Sequence, residues 1–111
     1  METAPEGGTH MALEKTLEDW GYGRLLEVGA NPIKYGQEGL PDRMVLWGRG
    51  LHFWVEWKKF KTGRLRASQK VWKKYLTSIG DIVYVIDTRE QLEEVICTWR
   101  FIYGPASAHR V

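Results

Sequence analysis

The sequence predicts a single α/β domain built on a mixed sheet. Three observations carry that expectation. Two apolar runs joined by Gly48-Arg49-Gly50 read as a hairpin, "IVYVI" (82–86) reads as a strand, and amphipathic helical stretches stand before, between and after them. The chain has 111 residues, long enough for one domain with a real core and too short for two. An apolar share of 43%, with six Trp and five Tyr, belongs to a globular protein and not to a disordered tail.

Residues 1–10, "METAPEGGTH", are rich in Gly, Pro and acid and are expected to be a leader or disordered tail, with the folded domain spanning 11–103 and a C-terminal tail at 104–111. Met11 to Trp20 predicts a short helix with Leu13 and Leu17 four apart, ended by Gly21; Arg24 to Val28 continues as a further turn. "NPIKY" suits an edge strand, with Pro32 near its start, and "GQEGLP" is a loop. The hairpin "DRMVLWGRGLHFWVEWK" follows, because glycine supplies the positive φ that tight connections need.

Beyond the basic loop "KFKTGRLRA", Ser68 is a fair N-cap for a helix with Trp72, Tyr75, Leu76 and Ile79 along an apolar stripe and Gly80 at its end. The unbroken β-branched run 82–86 predicts a strand buried on both faces. Thr88 and Gln91 form a capping box for a last helix whose Leu92, Val95, Ile96 and Trp99 share one side. Trp54, Trp72, Tyr75 and Trp99 are expected to pack, Trp54 against the second helix, and Cys97 to be an inert small hydrophobe.

Composition excludes several classes. A single cysteine rules out an internal disulfide and a Cys-based zinc cluster, so a reducing cytoplasm is the expected compartment. His10, His52 and His109 show no metal-ligand spacing. No apolar run nears the roughly 18 residues of a membrane span, and no signal-peptide pattern opens the chain. Net charge is only +2, yet eight of the sixteen basic residues lie between Lys58 and Lys74 with no acid among them. Such a block is a candidate phosphate-binding surface; a solvated loop and helix face is the plainer reading.

The hairpin places its own charges. Side chains alternate across a strand, so Phe53, Val55 and Trp57 share an apolar face while Trp54, Glu56 and Lys58 share the other. A three-residue loop, with Gly50 left-handed, pairs Trp47 with Leu51 and puts Asp42 opposite Glu56, Cβ atoms about 4.5–5.5 Å apart. A two-residue loop puts Asp42 on the wrong face. Facing carboxylates repel, and a hard cation such as Mg²⁺ or Mn²⁺ relieves the repulsion. Lys58 beside them could then hold an attacking water or offset developing charge, the arrangement of a phosphodiester hydrolase with the basic block holding DNA. Taken alone, a Glu and a Lys on one strand face are more often a surface ion pair.

Asp42 followed by Glu56-Trp57-Lys58 matches the PD-(D/E)xK pattern of metal-dependent nucleases. With "GLPDR", "VEWK", then Gly63, Leu65 and Gln69 in "GRLRASQ", and then "IVYVI", the chain resembles the VRR-NUC branch of that superfamily over nearly all of Met11 to Ile96. The resemblance implies a restriction-endonuclease-like αβββαβ core. It implies Asp42 and Glu56 as metal-binding carboxylates, the Trp57 carbonyl as a further ligand, Lys58 as catalytic lysine and Gln69 as a glutamine near the site. Glu14 matches the N-terminal acidic residue of the family, which binds metal directly or through water; Glu18, one turn on, is the alternative. Lys34 falls where family members often carry a lysine ahead of the PD motif, and is an expected DNA contact.

Lys59, Lys61, Arg64, Arg66, Lys70 and Lys74 are the expected DNA contacts, and Arg43 suits either a phosphate contact or a cap on the sheet edge. Small stand-alone members are similar to phage proteins that act as homodimers on branched DNA, including Holliday junctions, in the host cytoplasm. Flap or single-strand cleavage, a DNA-binding module without catalysis and a structural subunit are the other readings.

Overall fold

The computed structural model describes residues 6–58 and 64–108, with side chains from Lys15 onward. Seven elements follow in order: α1 (Glu6–Glu27), β1 (Asn31–Ile33), β2 (Arg43–Gly48), β3 (Leu51–Trp57), α2 (Ala67–Ser78), β4 (Val83–Ile86) and α3 (Arg89–Tyr103). The strands lie side by side in the order β1-β2-β3-β4, antiparallel except for the parallel pair β3–β4. This is the single α/β domain with a mixed sheet expected from the sequence.

Strand alternation sorts the layers. Phe53, Val55 and Trp57 of β3 join Val45 and Trp47 of β2 in a core closed by Leu17, Leu25 and Val28 of α1 and by Leu92, Val95, Ile96 and Trp99 of α3. Its aromatic centre has Phe53 and Trp99 ring centroids 4.7 Å apart and Trp47 and Trp99 5.8 Å apart. Two buried indole donors there find partners, Trp99 Nε1 donating to the Tyr84 hydroxyl at 2.9 Å and Trp47 Nε1 to the Gly104 carbonyl at 3.0 Å, while the buried Trp57 Nε1 has no hydrogen-bond partner among the described residues. The Arg24 guanidinium ties α1 to α3 through both carboxylate oxygens of Glu93, at 2.7 and 3.0 Å. Helix α2 attaches to the opposite face of the sheet, the one that bears Glu56, through Gln69.

Several local expectations are corrected. Helix α1 starts at Glu6, inside the stretch read as a leader, and runs unbroken through Gly21 and Gly23. Gly21 does not stop it because packing outweighs propensity there. An ideal Cβ at Gly21 would stand 2.2 Å from Trp57 Cη2, so only bare backbone lets the indole seat against the helix.

The hairpin closes through Arg49 and Gly50, both at positive φ, with Gly48 paired to Leu51. An irregularity between Leu46 and Gly48 absorbs the extra residue, and from Leu46 to Arg43 the pairing is that of the expected three-residue loop.

Helix α2 begins at Ala67 with Arg66, not Ser68, as its N-cap. Tyr75 and Ile79 are exposed, since Gln69 and Leu76 form the buried side of that helix. Strand β4 is one of the sheet's two outer strands and only half-buried apart from Ile86. Trp54 is buried against Tyr35, with its Nε1 donating to Asp81 at 2.9 Å. Cys97 is exposed on α3. The stretch 104–108, expected to be a tail, is docked: Ser107 N–H donates to the Trp47 carbonyl at 2.8 Å and Ala108 N–H to the Gly29 carbonyl at 3.0 Å.

Candidate active site

Strand β2 starts directly after Asp42 and β3 ends at Trp57, so both strand ends meet at one end of the sheet. Arg43 pairs with Val55, which sets Asp42 opposite Glu56. Backbone donors lace the two carboxylates together. The Asp42 N–H donates to Glu56 Oε1 at 3.1 Å, and the Trp57 N–H donates to Asp42 Oδ2 at 2.8 Å. In a strand the N–H and C=O of one residue project from the same edge, so the Trp57 carbonyl is directed to the Asp42 side.

Gln69 enters from the first turn of α2. Its Nε2 donates to Glu56 Oε2 at 2.5 Å, while its Oε1 accepts from Lys58 Nζ at 3.1 Å and from the Arg66 N–H at 2.8 Å. The last bond caps the helix, so one amide both starts α2 and joins the acid to the lysine. Lys58 Nζ also lies 3.3 Å from Glu56 Oε2. Asp42, Glu56, Trp57, Lys58, Gln69, Glu18 and Arg66 line an open cleft of about 290 Å³.

Electrostatics set Glu56 apart. Burial, and then the charge of Asp42, raise its carboxyl to about 7 from an ordinary 4.5, against the opposing pull of Lys58. A carboxyl held this way, in a cleft with a like-charged partner, is a mark of functional sites.

The remaining candidates divide. Glu18 lines the cleft; Glu14 lies one turn earlier on α1, and its side chain is outside the described residues. Arg43 is turned to the α1 side of the sheet. Its guanidinium stands 4.7 Å over the Tyr22 ring, Nη1 donates to the Pro32 carbonyl at 3.4 Å, and Nη2 lies 4.0 Å from Glu18 Oε2. These contacts run to the edge strand β1 and to α1. Arg66 is exposed at the cleft, and Arg64, Lys70 and Lys74 are exposed on and before α2. Lys34 is exposed just after β1 and is not among the cleft residues. Lys59 and Lys61 lie outside the described residues. His52 Nε2 pairs with Asp81 Oδ1 at 3.2 Å, away from this cluster.

Sequence reasoning missed Gly21, which seats the residue between Glu56 and Lys58. Its available signal was a glycine in the middle of a helical stretch, which often marks close packing.

Among the described residues no three His, Cys, Asp or Glu side chains gather as a metal cluster. The donor set is nevertheless of the right kind for a hard cation. Two carboxylates and a carbonyl on one side are all oxygen, and Mg²⁺ commonly takes one or two protein carboxylates and keeps several waters. Burial is the larger cause of the raised Glu56 carboxyl, and the Asp42 charge that adds to it is the part a cation would offset. No helix among the described residues is long and apolar enough to cross a membrane. Compared with known protein families the chain matches none, and it matches no curated protein.

Proposed function

We propose that this protein is a divalent-metal-dependent, structure-selective DNA endonuclease of VRR-NUC type, with a restriction-endonuclease-like αβββαβ core, acting on branched DNA such as Holliday junctions as a homodimer. The observation that carries the reading is the union of Asp42, Glu56, Lys58 and Gln69 in one hydrogen-bonded cluster at the sheet end. An incidental surface ion pair needs neither a buried acid nor a glutamine bridging both partners. The exposed Arg64, Arg66, Lys70 and Lys74, on and before α2, add a polyanion-binding surface beside it.

Hydrolysis of a phosphodiester adds water across a P–O bond: the water oxygen bonds to phosphorus, and the leaving oxygen takes up a proton. Asp42, Glu56 and the Trp57 carbonyl would hold Mg²⁺ or Mn²⁺, which when bound supplies Lewis acidity toward water and phosphate oxygen. The Lys58 ammonium, kept in place by Gln69 and Glu56, orients the attacking water and offsets charge on the phosphate. Arg66, Arg64, Lys70 and Lys74 neutralise the backbone without reading bases, which fits recognition of DNA shape. A dimer with two sites about a two-fold axis suits paired cuts in a four-way junction.

A cleavage assay tests this. Labelled four-way junction, flap, single-stranded and linear duplex DNA are incubated with Mg²⁺, Mn²⁺ or EDTA, with Lys58→Ala in parallel. Metal-dependent cutting of branched DNA that disappears in the variant is the expected result. DNA binding by both proteins without cutting under any metal would promote a non-catalytic binding module in its place.

A further inference from the structure

Helix α2 turns an unusual face outward. Val71, Tyr75 and Ile79 are 68%, 53% and 57% exposed, and their spacing of four residues puts them in one row along the helix. The Tyr75 ring meets Trp72 edge-to-face at 5.9 Å, so its orientation is supported even though half of it is open. Lys74 is a neighbour of Val71 around the helix, and Lys70 and Lys74 form an exposed row beside the apolar one. There is no acid on α2 or in the described residues leading into it from Arg64. An apolar row of this extent on a helix is a binding surface in search of an occupant.

Charge decides which. Two copies packed through this face would bring together two lysine-rich helices with no acid on either, so a second copy is disfavoured. The complement of the face is a polyanion that also offers flat apolar surfaces. Duplex DNA offers phosphates but keeps its base faces stacked inside. An unpaired strand offers both.

We propose that the outer face of α2 is a platform for single-stranded DNA, on which an unpaired base stacks against Tyr75 while Lys70 and Lys74 hold the flanking phosphates. Arg66, the N-cap of this helix, and Gln69 in its first turn line the cleft. Tyr75 is six residues beyond Gln69, about 9 Å along the helix axis and a third of a turn around it. The platform therefore leads a strand toward the candidate site and deepens the nuclease reading, on which it rests for the identity of the polyanion. It extends the proposed branched substrates to those that carry an unpaired strand.

The test is binding in EDTA, where cleavage plays no part. Fluorescence anisotropy compares labelled oligo-dT with a duplex of equal length for the wild-type protein, Tyr75→Ala and Tyr75→Phe. Tyr75→Ala is expected to weaken oligo-dT binding roughly tenfold, the range of one lost base stack, with the duplex changed less than twofold and Tyr75→Phe close to wild type. Equal weakening on both DNAs, no weakening on either, or no oligo-dT binding by the wild type overturns the platform. So does a dimer in sedimentation that Tyr75→Ala dissociates at unchanged oligo-dT affinity, which would give the face to a second copy. Cleavage that persists in such a case leaves the nuclease reading standing, and Tyr75-dependent binding without cleavage leaves the platform standing.

Discussion

The indole of Trp57 occupies the space that any side chain on Gly21 would need. A Cβ there would lie 2.2 Å from Cη2 and under 3 Å from two further ring carbons. Helix α1 thus braces, through bare backbone, the residue whose N–H holds Asp42 and whose chain neighbours are Glu56 and Lys58.

Gly21→Ala is therefore expected to destabilise the fold by about 1–3 kcal/mol through overpacking, although alanine is the better helix former. Gly23→Ala is the matched control. Nothing lies within 4 Å of a Cβ at Gly23, so that change is expected to raise stability by up to about 1 kcal/mol. Urea unfolding of the two variants measures both signs at once.

Glu56 gives the protein a pH dependence of known sign. Its carboxyl titrates near 7 when folded and near 4.5 ordinarily, so between those values the folded state holds the extra proton. The stabilisation is fully present below pH 4.5 and is lost as pH rises through 7. Thermal melts without metal are expected to fall over that window, and Glu56→Gln to flatten the slope and melt higher at pH 8. Added Mg²⁺ is expected to raise Tm more at pH 8 than at pH 6, because cation and proton compete for the same oxygens.

Gln69→Leu separates positioning from binding. It removes the donor to Glu56 Oε2, the acceptor for Lys58 and the cap on the Arg66 N–H. A stability loss of about 1–2 kcal/mol is expected from the lost cap and unpaired groups. Under the nuclease reading kcat falls at least tenfold while KM for DNA stays within twofold. An unchanged kcat would show that Lys58 keeps its place without the bridge.

Arg49 latches the end of the chain. Its guanidinium donates to the Tyr103 carbonyl at 3.0 Å, the Pro105 carbonyl at 3.1 Å and Ser107 Oγ at 2.7 Å. These bonds are exposed, so Arg49→Ala is expected to cost only about 1 kcal/mol globally. Amide exchange of Ser107 and Ala108 should nevertheless accelerate strongly, because the segment they anchor loses three of its contacts.

What was legible in the sequence was what repeats or pairs locally. Alternation in "HFWVEWK" separated the core face of β3 from the face of Glu56, and Thr88 with Gln91 marked the start of α3, where Gln91 Oε1 accepts from the Asp87 and Thr88 N–H groups. Asp42 and Glu56 were brought together by counting along the hairpin, and the pairing of Arg43 with Val55 agrees. Contacts between distant segments were not legible. Gly21 looked like a helix end because its reason for being glycine lies on β3, 36 positions away. Tyr75 looked like core because helical spacing identifies an apolar row without saying what, if anything, covers it. Strand 82–86 looked doubly buried because an edge strand and a central one can share the same β-branched composition.

The turn and bulge at the tip of the hairpin act together as a parity check on the chemistry at its base. The tip holds a two-residue turn, which alone would carry Asp42 to the face opposite Glu56, and one extra residue near Trp47 that carries it back. Odd corrections thus cancel over about 17 Å of strand, five residues from Trp47 to Asp42. A single insertion or deletion at the tip is expected to abolish the carboxylate pair without touching it, whereas a two-residue change leaves the pair facing. The hairpin tip, far from the cleft and open to solvent, is where this site is most easily lost by a change in chain length.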